Sequence, residues 1–193
     1  MASSEVSDPI SEMEALLKEL VALEETQGQK AIEAESRYSK AVTKYISSLE
    51  ELRFYQDKLN LAEYNVTRQS LIRRYIDANM KNKDGITNYD LMTDGRPPVN
   101  TYNGQDSIEL HHIKQEYKGP FAELTATQHD HPGEGINLHP KGKDHESWRS
   151  DWEKCHAFDL ERAKHWMKRS VMISGQLGEP SGIRWSRRRY HTL

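Results

Sequence analysis

The sequence predicts an α+β chain: a long N-terminal helical hairpin or coiled coil, then a small domain of short strands closed by a helix. Three observations predict it. The first 80 residues carry apolar side chains at helical spacing. The stretch "DGRPPVNTYNGQDS" (94–107), rich in Pro, Gly and Asn, interrupts that pattern. Beyond it, "SIELHHI" and "FAELT" are β-prone, and 146–173 returns to a helical pattern. The division expected is a helical docking module over 1–85, a linker over 86–106, and a second domain over 107–193 that ends in a basic tail.

The first helix opens at Ser7 or Asp8 as N-cap, with Pro9 at its first position and Glu12 in its first turn. Ile10, Met13, Leu16, Leu17, Leu20 and Val21 form its stripe, and Gly28 is the expected C-cap. A second helix is expected from about Gln29 to about Met80. There Tyr38, Val42, Tyr45, Leu49 and Leu52 alternate by four and three, the spacing of a coiled-coil seam. Gly85 marks a turn. The loop "HDHPGEGINLHPKGKDH" follows "FAELT", and the closing helix places Trp148, Trp152 and Trp166 near one face as packing anchors.

Composition restricts the chemistry. Hydrophobic residues make up 35% and charged residues 30%, which fits exposed helices. The net charge of −3 is unevenly spread: residues 1–92 hold 12 basic and 16 acidic side chains, and 162–193 hold eight basic against one acidic. That basic end is a modest nucleic-acid signal. The lone Cys155 excludes an intrachain disulfide and a Cys-based zinc site. No signal peptide of the usual pattern and no apolar run long enough to span a bilayer is read from the chain.

Five of the nine histidines fall between Ile108 and Pro140, and none precedes His111. His111 and His112 are adjacent at a strand end, so their rings point to opposite faces. One imidazole can then bind a metal while the other activates water, both suited by a pKa near 6.5. A loop carrying His129, His131 and His139 can fold back to complete a nitrogen ligand set.

The run Leu110-His111-His112, then Gly119-Pro120, Glu123-Leu124, His129 and Leu138-His139 resembles the LHH group of the HNH/endonuclease VII superfamily, nuclease modules found in bacterial polymorphic toxins. The resemblance covers about residues 93–170. It implies a ββα-metal (His-Me finger) core and a divalent metal such as Zn, Mg, Mn or Ni. It implies that His112 is the general base and His111 a metal ligand, with His129 and His139 as further ligands or phosphate contacts. Pro132, Gly133 and Gly135 interrupt the last segment, so Asp130, His131 and Asn137 remain alternatives for the third ligand.

Glu123 is a second candidate catalytic residue, able to orient a histidine. Lys141, Lys143, Arg187, Arg188 and Arg189 are candidate phosphate contacts. His145, His156 and His165 are expected to be structural or surface residues. The function implied is a metal-dependent endonuclease acting as an antibacterial toxin on DNA or, alternatively, RNA. Its partners would be a cognate immunity protein and, through the N-terminal helices, a second copy or a delivery apparatus. It would be made in the bacterial cytoplasm and delivered to target cells. Two other readings compete: a coiled-coil adaptor with a zinc-stabilised binding domain, and a housekeeping phage or repair HNH nuclease. A structural zinc site closes on four ligands and has no use for a free neighbouring histidine. Residues 1–80 are expected to be dispensable for chemistry.

Overall fold

A computed structural model of the protein describes residues 8–100, 106–142 and 148–174. The helix α1 (Pro9–Glu35) starts as the sequence predicts, with the Asp8 side chain accepting from the Ile10 N–H at 3.2 Å and Pro in its first turn. It does not end at Gly28. That residue is on an open face where helix can continue, and the helix stops only at Ser36, whose N–H bonds the Ile32 carbonyl at 3.0 Å.

The second long helix expected over 29–80 is not formed, and with it goes the helical hairpin. In its place come α2 (Lys40–Thr43), α3 (Leu49–Arg53) continued by a π turn (Phe54–Lys58), and the strands β1 (Ala62–Asn65) and β2 (Gln69–Ile72). The physical reason lies in the serines. Ser48 caps α3 by accepting from the Glu51 N–H, and Ser36 turns the chain by accepting from the Tyr38 N–H. Side chains that bond the nearby backbone compete with helix continuation. The seam residues are nevertheless buried: Tyr38, Val42 and Leu52 join one apolar core, with Tyr45 and Leu49 against it. Their spacing reported a buried face rather than a coiled coil.

The remaining elements are α4 (Asn88–Thr93), β3 (Ile108–His112), β4 (Phe121–Thr125), α5 (Ala126–Asp130) and α6 (Trp152–Ser174). The sheet order is β1-β2-β4-β3, with β2 and β4 parallel and the outer pairs antiparallel. Every residue of β4 is buried, as a central strand covered on both faces should be. Leu71, Ala122 and Leu124 face the core built with α2 and α3. Phe121, Ile108 and Leu110 face the other core, with Phe158, Trp166 and Ile173 of α6.

Residues 86–100 of the expected linker include packed ones. The buried Asn88 side chain donates to the carbonyls of Asp77 and Val99 and accepts from the Val99 N–H, which ties α4 to both flanking segments. Gly85 turns with a φ of +78°, as read from the sequence. Gly95 lies against α6 so closely that a Cβ would meet that of Ala163 at 2.9 Å. Arg68, in the β1–β2 turn, bonds Glu161 of α6 and the carbonyls of Tyr117 and Gly119. Arg68 thus braces the turn between β3 and β4, and this packing weighs against the expectation that 1–80 are dispensable for chemistry. Trp148 and Trp166 pack as predicted, but Trp152 is 76% exposed. No helix among the described residues is long and apolar enough to cross a membrane.

Candidate metal centre

Strand β3 pairs directly with β4, placing His111 opposite Ala122 and His112 opposite Phe121. The two histidines therefore part to opposite faces, as strand geometry demands. His111 joins the α2–α3 side, and there it meets two more imidazoles.

His129 comes from α5. The short helix is fixed by a capping box in which Thr125 and Gln128 satisfy each other's backbone N–H groups. His139 comes from the loop after α5. Leu138 anchors that loop in the core, Lys58 donates to the Pro132 carbonyl at 3.0 Å, and the Asn137 side chain accepts from the His139 N–H at 3.0 Å. Gln115 holds its far end, accepting from the Lys141 N–H at 2.9 Å and donating to the Gly142 carbonyl at 3.4 Å. Gln115 and Lys114 both adopt positive φ (55° and 59°), one residue beyond the histidine pair. The chain must turn sharply here to bring the strand end to the loop.

The result is a cluster of three ring nitrogens. His111 Nδ1 lies 3.0 Å from His129 Nε2, which lies 3.2 Å from His139 Nε2. One ligand atom from each residue falls within 4.8 Å of the others. With Zn–N bonds of roughly 2.0–2.1 Å, neighbouring ligands of a tetrahedron stand about 3.3 Å apart. The His111–His129 and His129–His139 spacings fit that edge, and the all-imidazole chemistry of the cluster suits Zn²⁺, Ni²⁺ and similar ions better than Mg²⁺. Three ligands leave coordination positions for water or a phosphate oxygen. Glu109, on the same face of β3, bonds His129 Nδ1 at 3.1 Å. A carboxylate there fixes the tautomer that turns the Nε2 lone pair toward the cluster.

The other candidates lie elsewhere. Asp130, His131 and Asn137 are exposed, and His139 takes the third place in the cluster. His112 sits on the α6 face, 5% exposed, with the rings of Phe158, Phe121 and Trp148 at 4.7, 4.8 and 4.9 Å and Tyr117 stacked at 6.4 Å. Lys141 is ion-paired with Glu116. Lys143 and Arg187, Arg188 and Arg189 lie outside the described residues.

Glu123 does orient a histidine, but that histidine is His165 and not a member of the triad. Glu123 points to the α6 face, away from the triad, and is fully buried. Its Oε1 accepts from His165 Nε2 and Arg169 Nε, both at 2.8 Å, and its Oε2 from the Arg73 N–H at 2.9 Å. Burial pushes its carboxyl up, but His165 and Arg169 outweigh this and hold it below the usual carboxylate range. Fully buried and held by these bonds, it joins β4 to α6 on the face away from the triad. His165 was expected to be a structural or surface residue and is a buried structural one, while Arg169 went unassigned by sequence reasoning. Their four-residue spacing on a helix, next to Trp166, was the available signal.

Residues 87–171 match a family model described as LHH, a nuclease of the HNH/ENDO VII superfamily with conserved LHH. The segment contains Leu110-His111-His112, both further histidines of the cluster, and α6 to within three residues of its end. Residues 87–171 thus form an LHH-type nuclease domain of the HNH kind. No solved structure matches the chain.

Proposed function

We propose that the chain is a metal-dependent endonuclease in which His111, His129 and His139 hold a divalent ion. The observation that carries this is the imidazole triad, with ring nitrogens 3.0 and 3.2 Å apart, in a domain of a nuclease family. When bound, the ion would supply charge to offset that of the scissile phosphate and the leaving oxygen. Glu109 keeps His129 in the ligating tautomer. His112 is the general base on the strength of its place in the Leu-His-His run alone, since its ring stands on the α6 face, opposite the cluster. Lys141 and Lys143, with Arg187–Arg189, hold phosphates of the substrate, which is DNA.

The aromatic box around His112 makes the base assignment testable without confounding it with packing. His112→Phe fills the box and removes the proton acceptor; His112→Ala empties it. Loss of a general base lowers the rate by about 10²–10⁴-fold. Both variants should lose plasmid nicking to that extent. A His112→Phe protein that nicks at the wild-type rate makes His112 a packing residue.

The biological reading is an antibacterial toxin delivered to other cells and restrained by an immunity protein in its producer. It is supported by the LHH resemblance. The inhibitor would be acidic, because a surface that attracts phosphates attracts carboxylates, and opposite charges speed capture. Expression in a bacterial host tests it. The account requires toxicity that vanishes with His111→Ala, and a harmless but nuclease-active wild-type protein leaves the housekeeping nuclease.

A further inference from the structure

Along α1, Met13, Leu16, Leu17, Leu20 and Leu23 are each 53–65% exposed. With 3.6 residues per turn they share one side of the helix with Ile10 and Val21, and residues 10–23 extend about 20 Å. Only from Ile32 onward does the helix enter the core. Exposed leucines in a continuous row mark a surface that another element covers.

The edges of the stripe identify the occupant. Glu12 and Glu19 fall along one edge, Glu14 and Glu25 along the other, and Glu24 lies at its C-terminal end. Lys18 is the single basic residue between Asp8 and Gly28. A second copy would set glutamate against glutamate whichever way the helices ran: parallel pairing opposes the two different edges, and antiparallel pairing opposes each edge to itself. Like charges at those flanking positions reject a partner, and opposite charges select one. The acidic edges also repel an anionic lipid surface.

We propose that α1 is a docking helix for a different protein, one that presents an apolar helical face edged on both sides by Lys or Arg. This inference stands apart from the nuclease chemistry, since the stripe contains none of the residues of the metal cluster.

The test uses the full chain and a fluorescent three-heptad amphipathic peptide with Leu and Ile on one face and Lys along both edges. A control peptide carries Glu at the edges. The Lys-edged peptide should bind, and added salt should weaken it. The Glu-edged peptide should bind about tenfold or more weakly. Leu16→Asp with Leu20→Asp should abolish binding. Glu19→Lys with Glu25→Lys should reverse the preference between peptides. Plasmid nicking should be unchanged in all these variants, so failure here is separable from failure of the nuclease reading. The proposal is overturned by equal binding of both peptides or by binding of neither. It is also overturned by an unreversed preference in the charge variant, by attachment of the stripe to phospholipid vesicles, or by sedimentation as a dimer that Leu20→Asp dissolves.

Discussion

Glu109 and His129 are joined through Oε2 and Nδ1 at 3.1 Å, and this contact leaves His129 Nε2 facing His111 and His139 at 3.0 and 3.2 Å. The carboxylate determines which nitrogen carries the proton. Removing such a partner typically weakens metal affinity about 10–100-fold. Glu109→Ala should therefore bind Zn²⁺ or Ni²⁺ more weakly by that factor in calorimetric titration, with the thermal melt of the metal-free protein little changed. Equal affinity in the variant would leave Glu109 as a surface carboxylate.

Truncation separates the two parts of the N-terminal half. A chain starting at Asp94 lacks β1, β2 and the Arg68 brace on Tyr117, Gly119 and Glu161. It should be unfolded by circular dichroism and inactive. A chain starting at Gln29 keeps Ile32 and everything packed on it, and should nick plasmid at the full-length rate. Nicking by the shorter fragment would show that β1 and β2 are not needed for the nuclease fold.

Arg169 and Glu123 form a buried pair, 3% and 0% exposed at their side chains. Removing one partner of a buried pair leaves an uncompensated charge and costs about 3–5 kcal/mol. Arg169→Met should destabilise by that amount in urea unfolding, and Glu123→Gln added to it should recover part of the loss. If the double variant is as unstable as the sum of the two single ones, the pair is not coupled.

Two buried carboxylates give stability opposite pH dependences. Glu123 has a lowered pKa when folded. Its contribution is present above its unfolded pKa of about 4.3 and is lost as pH falls through the lower folded value. Glu51 is the reverse: burial drives it up to about 7, against hydrogen bonds from the Ser47 N–H and the Tyr55 hydroxyl. Its folded form holds a proton that the unfolded form has released, so its contribution is full below about pH 4.3 and disappears as pH rises to about 7. The melting temperature of Glu51→Gln minus that of the wild type should therefore increase between pH 5 and 7. A constant difference would mean that Glu51 is ionised throughout that range.

The cluster was legible in the sequence because its chemistry is local. A doubled histidine at a strand end, three more in one loop and a Leu-His-His run specify which side chains can meet. Glu123 was not, because its partners His165 and Arg169 stand 42 and 46 residues away and nothing in "FAELT" indicates a buried carboxylate. The helix over 29–80 was misread for a related reason. Tyr38, Val42 and Leu52 are buried as their spacing required, but spacing reports a face and not the length of the element bearing it. Ser36 and Ser48 decided the breaks.

The most direct measurement of the central claim is nicking of supercoiled plasmid by chelator-stripped protein, titrated with Zn²⁺, Ni²⁺, Mn²⁺ and Mg²⁺ beside His129→Ala. Stripped wild-type protein should be inactive and should regain nicking with at least one of these ions. His129→Ala should need a higher concentration of that ion and should bind it more weakly in calorimetry. Nicking that persists undiminished in excess EDTA, or a His129→Ala protein with wild-type ion dependence, would contradict a metal held by His111, His129 and His139.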